Sequence, residues 1–507
     1  MKKSQLKVGV LLSYGQMILS NLISILYTPI MLRILGQSEY GLMSLTSSVI
    51  SYLGLLQCGL GSSYNYFYYK TKAKNEEDGI SRLNGTFMTI YLMIAAIAFL
   101  AGMVLVFNAE LVFSTGLTTE ELEKAKVLMF LSVISLVISF PTSIFGAYLN
   151  ANEKYIFPRT VTLISTVLGP MVRLPLLFMG YRSIGLSVVS LVFTIVQGII
   201  SAYYSIVKQH QRFKFGKIQV GLLKSMYSFS FFIFLNQIVD QINWSIDRYI
   251  ISRFYGTASV AVYSIGAAIN TYYVSISSTV SSVFSPRINR MISEKVDNHD
   301  LTQLMIRVGR IQFMILTLIL TGFVFFGYYF IVEYYAGAGY ELSYVVALLL
   351  IIPVTIPLVQ NTGIEIQRAK NKHQFRSIIY IIMAFLNLGI SIPLCKYFGV
   401  VGSAAGTSIG IIIANIIIMN WYYHAKLGLD MKLFWTGIAK LLPAEILPVL
   451  FGIVVWKVIG ITSVARFLGF GVLYVIIFGI SMWFLGMNDY EKSLLSGPIK
   501  KILKIHR

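Results

Sequence analysis

Asn236, Asp240, Asn243 and Asp247 recur at steps of four, three and four inside one apolar stretch. That spacing puts them on a single face of a helix. Carboxylates and amides are costly in hydrocarbon unless they face protein or water. A desolvated Asp240 is a candidate carrier of a coupling proton. Arg248 follows Asp247, and Arg173 sits between Pro170 and Pro175. A guanidinium stays charged and matches phosphate oxygens with paired hydrogen bonds, so both arginines are candidate anion ligands. The alternative is that each arginine only neutralises an aspartate. Near the N-terminus Ser13, Gln16, Ser20, Ser24 and Tyr27 form a second stripe, and residues 259–284 add Asn270, Thr271, Ser275 and Ser278. Small hydroxylated residues also serve close helix packing. Taken together, those in the first, second, seventh and eighth apolar segments point to a wet central cavity.

Some chemistry is missing. All five histidines (His210, His299, His373, His424 and His506) lie in or beside polar connections, and the two cysteines, Cys58 and Cys395, lie in separate apolar runs. Neither a metal site, a disulfide framework nor a cofactor is expected. No GxxxxGK[ST] or HExxH motif occurs, which disfavours ATP hydrolysis by a phosphate loop, and the outer connections are too short to house an active site, which disfavours a membrane catalyst. Glu445, between Pro443 and Pro448, is a further intramembrane acid.

The elements that position these groups follow from composition. Of 507 residues, 56% are hydrophobic and only 12% charged. Soluble domains carry about 25% charged residues, so a soluble enzyme is excluded. A membrane span takes roughly 20 mainly apolar residues. Fourteen segments qualify: 8–32, 42–68, 84–107, 126–149, 160–179, 184–207, 226–251, 259–284, 311–335, 342–364, 377–395, 400–423, 437–459 and 464–486. The first is too long for a secretory signal and is read as a span.

With the N-terminus inside, 31 of the 41 Lys and Arg fall in inside connections and eight in outside ones. That is the positive-inside pattern, and it accounts for the whole net charge of +20. The basicity therefore reports topology and contact with membrane lipids, not nucleic acid. Both termini are expected in the cytoplasm.

A shift of 220 carries Arg33-x-x-Gly36 onto Arg253-x-x-Gly256, Ser44 onto Ser264, Gln16 onto Asn236, Ser20 onto Asp240 and Tyr27 onto Asp247. Six spans separate the copies, so the halves are parallel repeats. The expected architecture is an all-α polytopic membrane protein of about 14 transmembrane helices. Residues 1–217 and 218–435 form two parallel six-helix halves around a central cavity. Residues 436–507 add helices 13 and 14 and a basic cytoplasmic tail.

Three stretches carry a family resemblance: RILGQSEYGLMSLTSSVISYLGLLQCGLGSSYNYFY (33–68), SIDRYIISRFYGTASVAVYSIGAAI (245–269) with its Asp-Arg pair, and CKYFGVVGSAAGTSIG (395–410). With the span count and repeat, they make the whole chain similar to bacterial polysaccharide flippases (the O-antigen, capsule and exopolysaccharide type). These belong to the multidrug/oligosaccharidyl-lipid/polysaccharide exporter superfamily. The resemblance implies a transporter of the bacterial cytoplasmic membrane. It would move an undecaprenyl-diphosphate-linked oligosaccharide from the inner to the outer leaflet by alternating access, with other polysaccharide-assembly proteins as possible partners. Relatives in the lipid II branch have charges in helix 1, whereas here the first span has none before Arg33. Head-group ligands are then sought in Arg173 and Arg248 and in the outer-rim Arg33, Arg253 and Lys396. The rivals are a multidrug cation antiporter, which wants cavity carboxylates, and a membrane polymerase or acyltransferase, which wants a catalytic loop or membrane histidine.

Overall fold

The computed structural model describes residues 2–57, 59–73, 78–113, 116–216, 220–370, 372, 374–494 and 496. Within these helices the side chains of 2–11, 13, 14, 220–236, 239, 240, 242–244, 282, 283, 285 and 286 lie outside the described residues. Ser13 and Cys58 of the sequence reading are therefore also outside them. Among the described residues the chain is helical with no strand.

In order, the helices are α1 (Lys2–Gly54), α2 (Leu60–Ala73), α3 (Gly79–Phe107), α4 (Thr119–Ala151), α5 (Ile156–Phe178), α6 (Arg182–Tyr203), α7 (Val220–Ser293) and α8 (Asn298–Tyr329). They continue as α9 (Glu341–Val359), α10 (Thr362–Ala369), α11 (Gln374–Ile411), α12 (Met419–Ala425), α13 (Met431–Ala439), α14 (Leu442–Val454) and α15 (Val464–Ser481).

Among the described residues, ten helical stretches are long and apolar enough to cross a membrane. Two of them, Gly15–Ala73 and Gln374–Ala425, each carry two of the apolar segments expected from the sequence. The segments 226–251 and 259–284 share α7, so each of the fourteen lies mostly on helix among the described residues. The long helices bend at glycine. Gly36 has φ 78° and ψ 171°, and Gly256 has φ 74° and ψ −175°. This is a region of backbone space that only glycine occupies readily. The two bends stand at the 220-residue offset of the repeat and share one conformation. A third glycine bend, Gly399, divides α11. The segment 42–68 is not one continuous helix, because a tight turn at Leu55–Gln57 and positive-φ Gly59 interrupt it.

The chain divides into two compact units. The first comprises Met1–Ser264 with Cys395–Val400. Its core gathers Tyr64, Phe87, Tyr91, Phe140 and Ile144 from α2, α3 and α4. α4 starts on a reciprocal cap, in which Glu121 N donates to Thr118 Oγ1 and Thr118 N to Glu121 Oε2. Glu121 also accepts hydrogen bonds from the hydroxyls of Ser38 and Thr257, beside the two repeat bends. Backbones meet closely there: a Cβ added at Gly41 would lie 1.8 Å from the Thr257 carbonyl oxygen.

The second unit comprises Ile265–Leu394 and Val401–Arg507. Met305, Val308, Ile351, Tyr423 and Phe434 lie at its centre. Arg310, which the sequence reading assigns to a basic loop, is instead buried in this unit, and its guanidinium holds three elements together. It pairs with Glu491 at 2.5 and 2.9 Å and donates to the carbonyls of Gly437 in α13 (2.8 Å) and Gly486 beyond α15 (2.7 Å).

Two predictions follow from these contacts. Gly36 has open space around its missing Cβ, so Gly36→Ala isolates backbone strain and should destabilise by about 1–3 kcal/mol. Thermal unfolding in detergent measures it, and an unchanged midpoint would mean that the bend relaxes. Glu491→Ala strands a buried guanidinium and should cost about 3–5 kcal/mol. The double change Arg310→Met, Glu491→Leu should recover most of that loss in the same assay.

Candidate functional site

Two polar cavities open in the first unit, and each holds one of the arginines singled out by the sequence. The first has a volume of about 420 Å³ and lies among α1, α5 and α6. α1 contributes Ser20, Ser24 and Tyr27 of the predicted stripe; α5 contributes Thr162, Thr166 and Arg173; α6 contributes Ser190, Thr194 and Gln197. The α5 residues are spaced by four and seven positions and so share a face. Pro170 cannot donate a backbone hydrogen bond to the Thr166 carbonyl, and such a freed carbonyl is tolerated in a membrane where it borders a polar cavity. Arg173 Nη2 donates to Ser190 Oγ at 2.9 Å. Its Nε is buried without a hydrogen-bond partner among the described residues, as is the Tyr27 hydroxyl. No described carboxylate pairs with Arg173, which therefore offers a charged, largely uncommitted guanidinium to the cavity. Gln16 lies on α1 with its Oε1 buried and likewise unpartnered among the described residues.

The second cavity, about 370 Å³, lies beyond the Gly36 bend. Ser44, Ser47, Ser48 and Ser51 of α1 face Gln241, Ser245 and Arg248 of α7 across it. Arg248 Nε donates to Ser264 Oγ at 3.2 Å, and Gln241 Nε2 donates to Ser245 Oγ at 2.7 Å and to the Ser51 hydroxyl. Asp247 does not border this cavity. It is fully buried, and its Oδ2 accepts a hydrogen bond from the Tyr263 hydroxyl at 2.6 Å. Arg33, Arg253 and Lys396 are exposed near the glycine bends, and the Lys396 carbonyl accepts from the Tyr255 hydroxyl at 3.0 Å. The side chains of Asn236, Asp240 and Asn243 lie outside the described residues.

The structure thus joins Ser20, Ser24 and Tyr27 of the α1 stripe to Arg173 and sets Arg248 against a serine face. Sequence reasoning missed Ser190, Gln241 and Tyr263. The spacing of Ser44, Ser47, Ser48 and Ser51 was a usable signal, since it is helical. Tyr263 gave none, because its partner lies 16 positions away across a bend. Chemically, a guanidinium among hydroxyls, with no carboxylate bordering either cavity among the described residues, suits a polar anion.

This architecture is that of a polytopic, all-helical membrane protein. The chain belongs to the polysaccharide biosynthesis protein family, whose pattern it matches over residues 6–292. No curated protein sequence matches it. Among solved structures it resembles the lipid II flippase MurJ in an inward closed conformation, with a TM-score of 0.72 and 15% identity over 94% of this chain and 97% of that one. It also resembles an inward-facing multidrug resistance MATE family transporter of the MOP superfamily, with a TM-score of 0.64 and 16% identity over 82% of this chain and 96% of that one. A third similar structure is the Vibrio cholerae MATE transporter VcmN in the bent form, with a TM-score of 0.52 and 15% identity over 86% and 98% of the two chains.

Tyr263→Phe tests the anchoring of Asp247. Removing the hydroxyl leaves a buried carboxylate oxygen one donor short and should cost about 1–3 kcal/mol in thermal unfolding. An unshifted midpoint would show that Tyr263 does not hold it.

Proposed function

We propose that this protein is a flippase that carries an undecaprenyl-diphosphate-linked oligosaccharide from the inner to the outer leaflet of the bacterial cytoplasmic membrane by alternating access. The observation that carries this reading is the pair of hydroxyl-rich cavities, each with one arginine and no carboxylate among its described residues. A diphosphate cannot cross hydrocarbon unpaired, because an isolated charge there costs many kcal/mol. Arg173 and Arg248 supply fixed positive charge that replaces part of its hydration, and the serines, threonines and Gln197 exchange hydrogen bonds with sugar hydroxyls. The polyprenyl tail stays in the bilayer throughout, so the protein needs to shelter only the head. Arg33, Arg253 and Lys396 receive or release the anion at the outer rim. Asn236, Asn243, Gln16 and Asp247 complete the polar lining or its support, and Asp240 is assigned the coupling proton.

In this scheme residues 1–217 and 218–435 act as the two moving halves, 436–507 is an accessory pair of helices with a basic tail, and both termini face the cytoplasm. A multidrug antiporter recognising cations would want acidic residues where these cavities present arginine. Family membership and fold both lie with transporters, which accords with a protein that moves its substrate unchanged.

In a deletion strain, lipid-linked sugar should accumulate on the cytoplasmic side of the membrane. Arg173→Ala and Arg248→Ala should each fail to restore surface polysaccharide while the protein stays folded. Loss of a charge-assisted contact of about 1.5–3 kcal/mol corresponds to a roughly 10- to 100-fold drop in transport. Arg→Lys should rescue partly, since it keeps charge and loses the bidentate geometry. Normal polymer from both alanine variants would overturn the anion-ligand roles. Lipid-linked units already exposed outside in the deletion strain would overturn the flippase and point to a polymerase.

A further inference from the structure

A third cavity, of about 410 Å³, lies in the second unit, where the turn before α11 meets α12. Its walls are Lys372, Gln374, Phe375, Trp421, Tyr422 and Lys426. The Phe375 and Tyr422 rings stack with centroids 4.2 Å apart and planes 6° apart, and Trp421 stands at the rim with its indole exposed. Two hydrogen bonds fix the basic edge: Lys372 Nζ donates to the Lys426 carbonyl at 3.1 Å, and the Tyr422 hydroxyl donates to the Lys372 carbonyl at 3.2 Å. One ammonium is thereby held over the cavity with donors to spare, and Lys426 is exposed beside it.

No acid lies among the lining residues. The described acids nearest in the chain are engaged elsewhere. Glu365 pairs with Arg368 at 2.9 Å, and Asp430 caps α13 through Leu433 N at 2.9 Å. Arg376, one turn into α11, adds further positive charge over the Tyr380 ring. Lys370 is already committed to Asn298 Oδ1 and the Leu427 carbonyl, and burial holds its amine below the usual lysine range. The cavity therefore presents net positive charge behind an aromatic wall.

The surface next to it is apolar. Ile378, Ile382 and Phe385 step along α11 away from the cavity at helical spacing, and Ile417 lies one turn from Trp421; all are exposed. A basic pocket continuous with an exposed apolar surface fits an amphipath with an anionic head and an acyl tail. Tryptophan and lysine at such a border are the usual anchors at a bilayer interface.

We propose that this cavity binds the phosphate headgroup of an anionic glycerophospholipid, with an acyl chain along the Ile378–Phe385 face. The site is separate from the two arginine cavities and does not depend on which substrate the protein transports.

The test uses the full-length protein, purified and loaded with phosphatidylglycerol or phosphatidylcholine. Bound lipid is counted by native mass spectrometry, and affinity is read from lipid-dependent thermal stabilisation. One phosphatidylglycerol should be retained selectively over phosphatidylcholine. Lys372→Gln with Lys426→Gln should weaken that binding about tenfold, whereas the double lysine-to-arginine variant should keep it. Lys426→Gln alone alters an exposed side chain and gives a milder loss if the double variant does not fold. Equal phosphatidylglycerol binding by wild type and the glutamine variants overturns the proposal. Full competition by inorganic phosphate would make this a simple anion site and also overturn it. Preferential displacement by an isoprenyl diphosphate would make the cavity a dock for transport substrate, again contrary to the proposal.

Discussion

Hydrocarbon supplies no hydrogen bonds, so a backbone crossing it must pair its own amides and carbonyls, and the α-helix does so within each segment. Three departures from that rule among the described residues lie beside groups that offset them. The bends at Gly36 and Gly256 stand where hydroxyl and carboxylate groups gather, with Glu121 accepting from both Ser38 and Thr257. The break after Gly54 stands beside Gln57, whose amide donates to Ser143 at 2.9 Å. Pro170 frees a carbonyl where α5 borders a polar cavity. Irregular backbone and polar side chains occur together because each makes the other tolerable.

The same constraint limits where charge can go, and the buried ions meet it in different ways. Arg310 is neutralised by Glu491 and saturated by carbonyls, which suits a structural clamp. Asp247 is tied to Tyr263 in a closed setting. Among the described residues Arg173 has a single hydroxyl partner and faces a cavity, an arrangement that leaves its charge available to something else. The number and type of partners, more than depth in the membrane, distinguish an ion that holds the fold from one that can meet a ligand.

Much of this was legible in the sequence, for physical reasons. Apolar segments of spanning length can be read directly, and each of the fourteen lies mostly on helix among the described residues. The 220-residue repeat was visible because glycine is nearly obligatory at ε-region bends, so Gly36 and Gly256 act as fixed markers. The α1 stripe and Arg173 lie on helix faces, where spacing predicts direction. What was hidden depends on contacts distant in sequence. Arg310 reads as one more loop cation, since its partner lies 181 positions away. Asp247 reads like Asp240, and only the fold turns it toward Tyr263. The interruption at Leu55–Gln57 and Gly59 falls in a stretch that composition alone treats as uniform.

The Arg310 clamp bears on how the chain is made. α8 leaves the ribosome well before Gly486 and Glu491, so it must enter the membrane carrying an arginine whose partners do not yet exist. Until Glu491 has been made, that charge lacks its counter-ion, and burying it unpaired would be costly. The clamp therefore ties α8 to a segment made 176 to 181 positions later, so the middle of this unit gains its fully paired arginine late in synthesis.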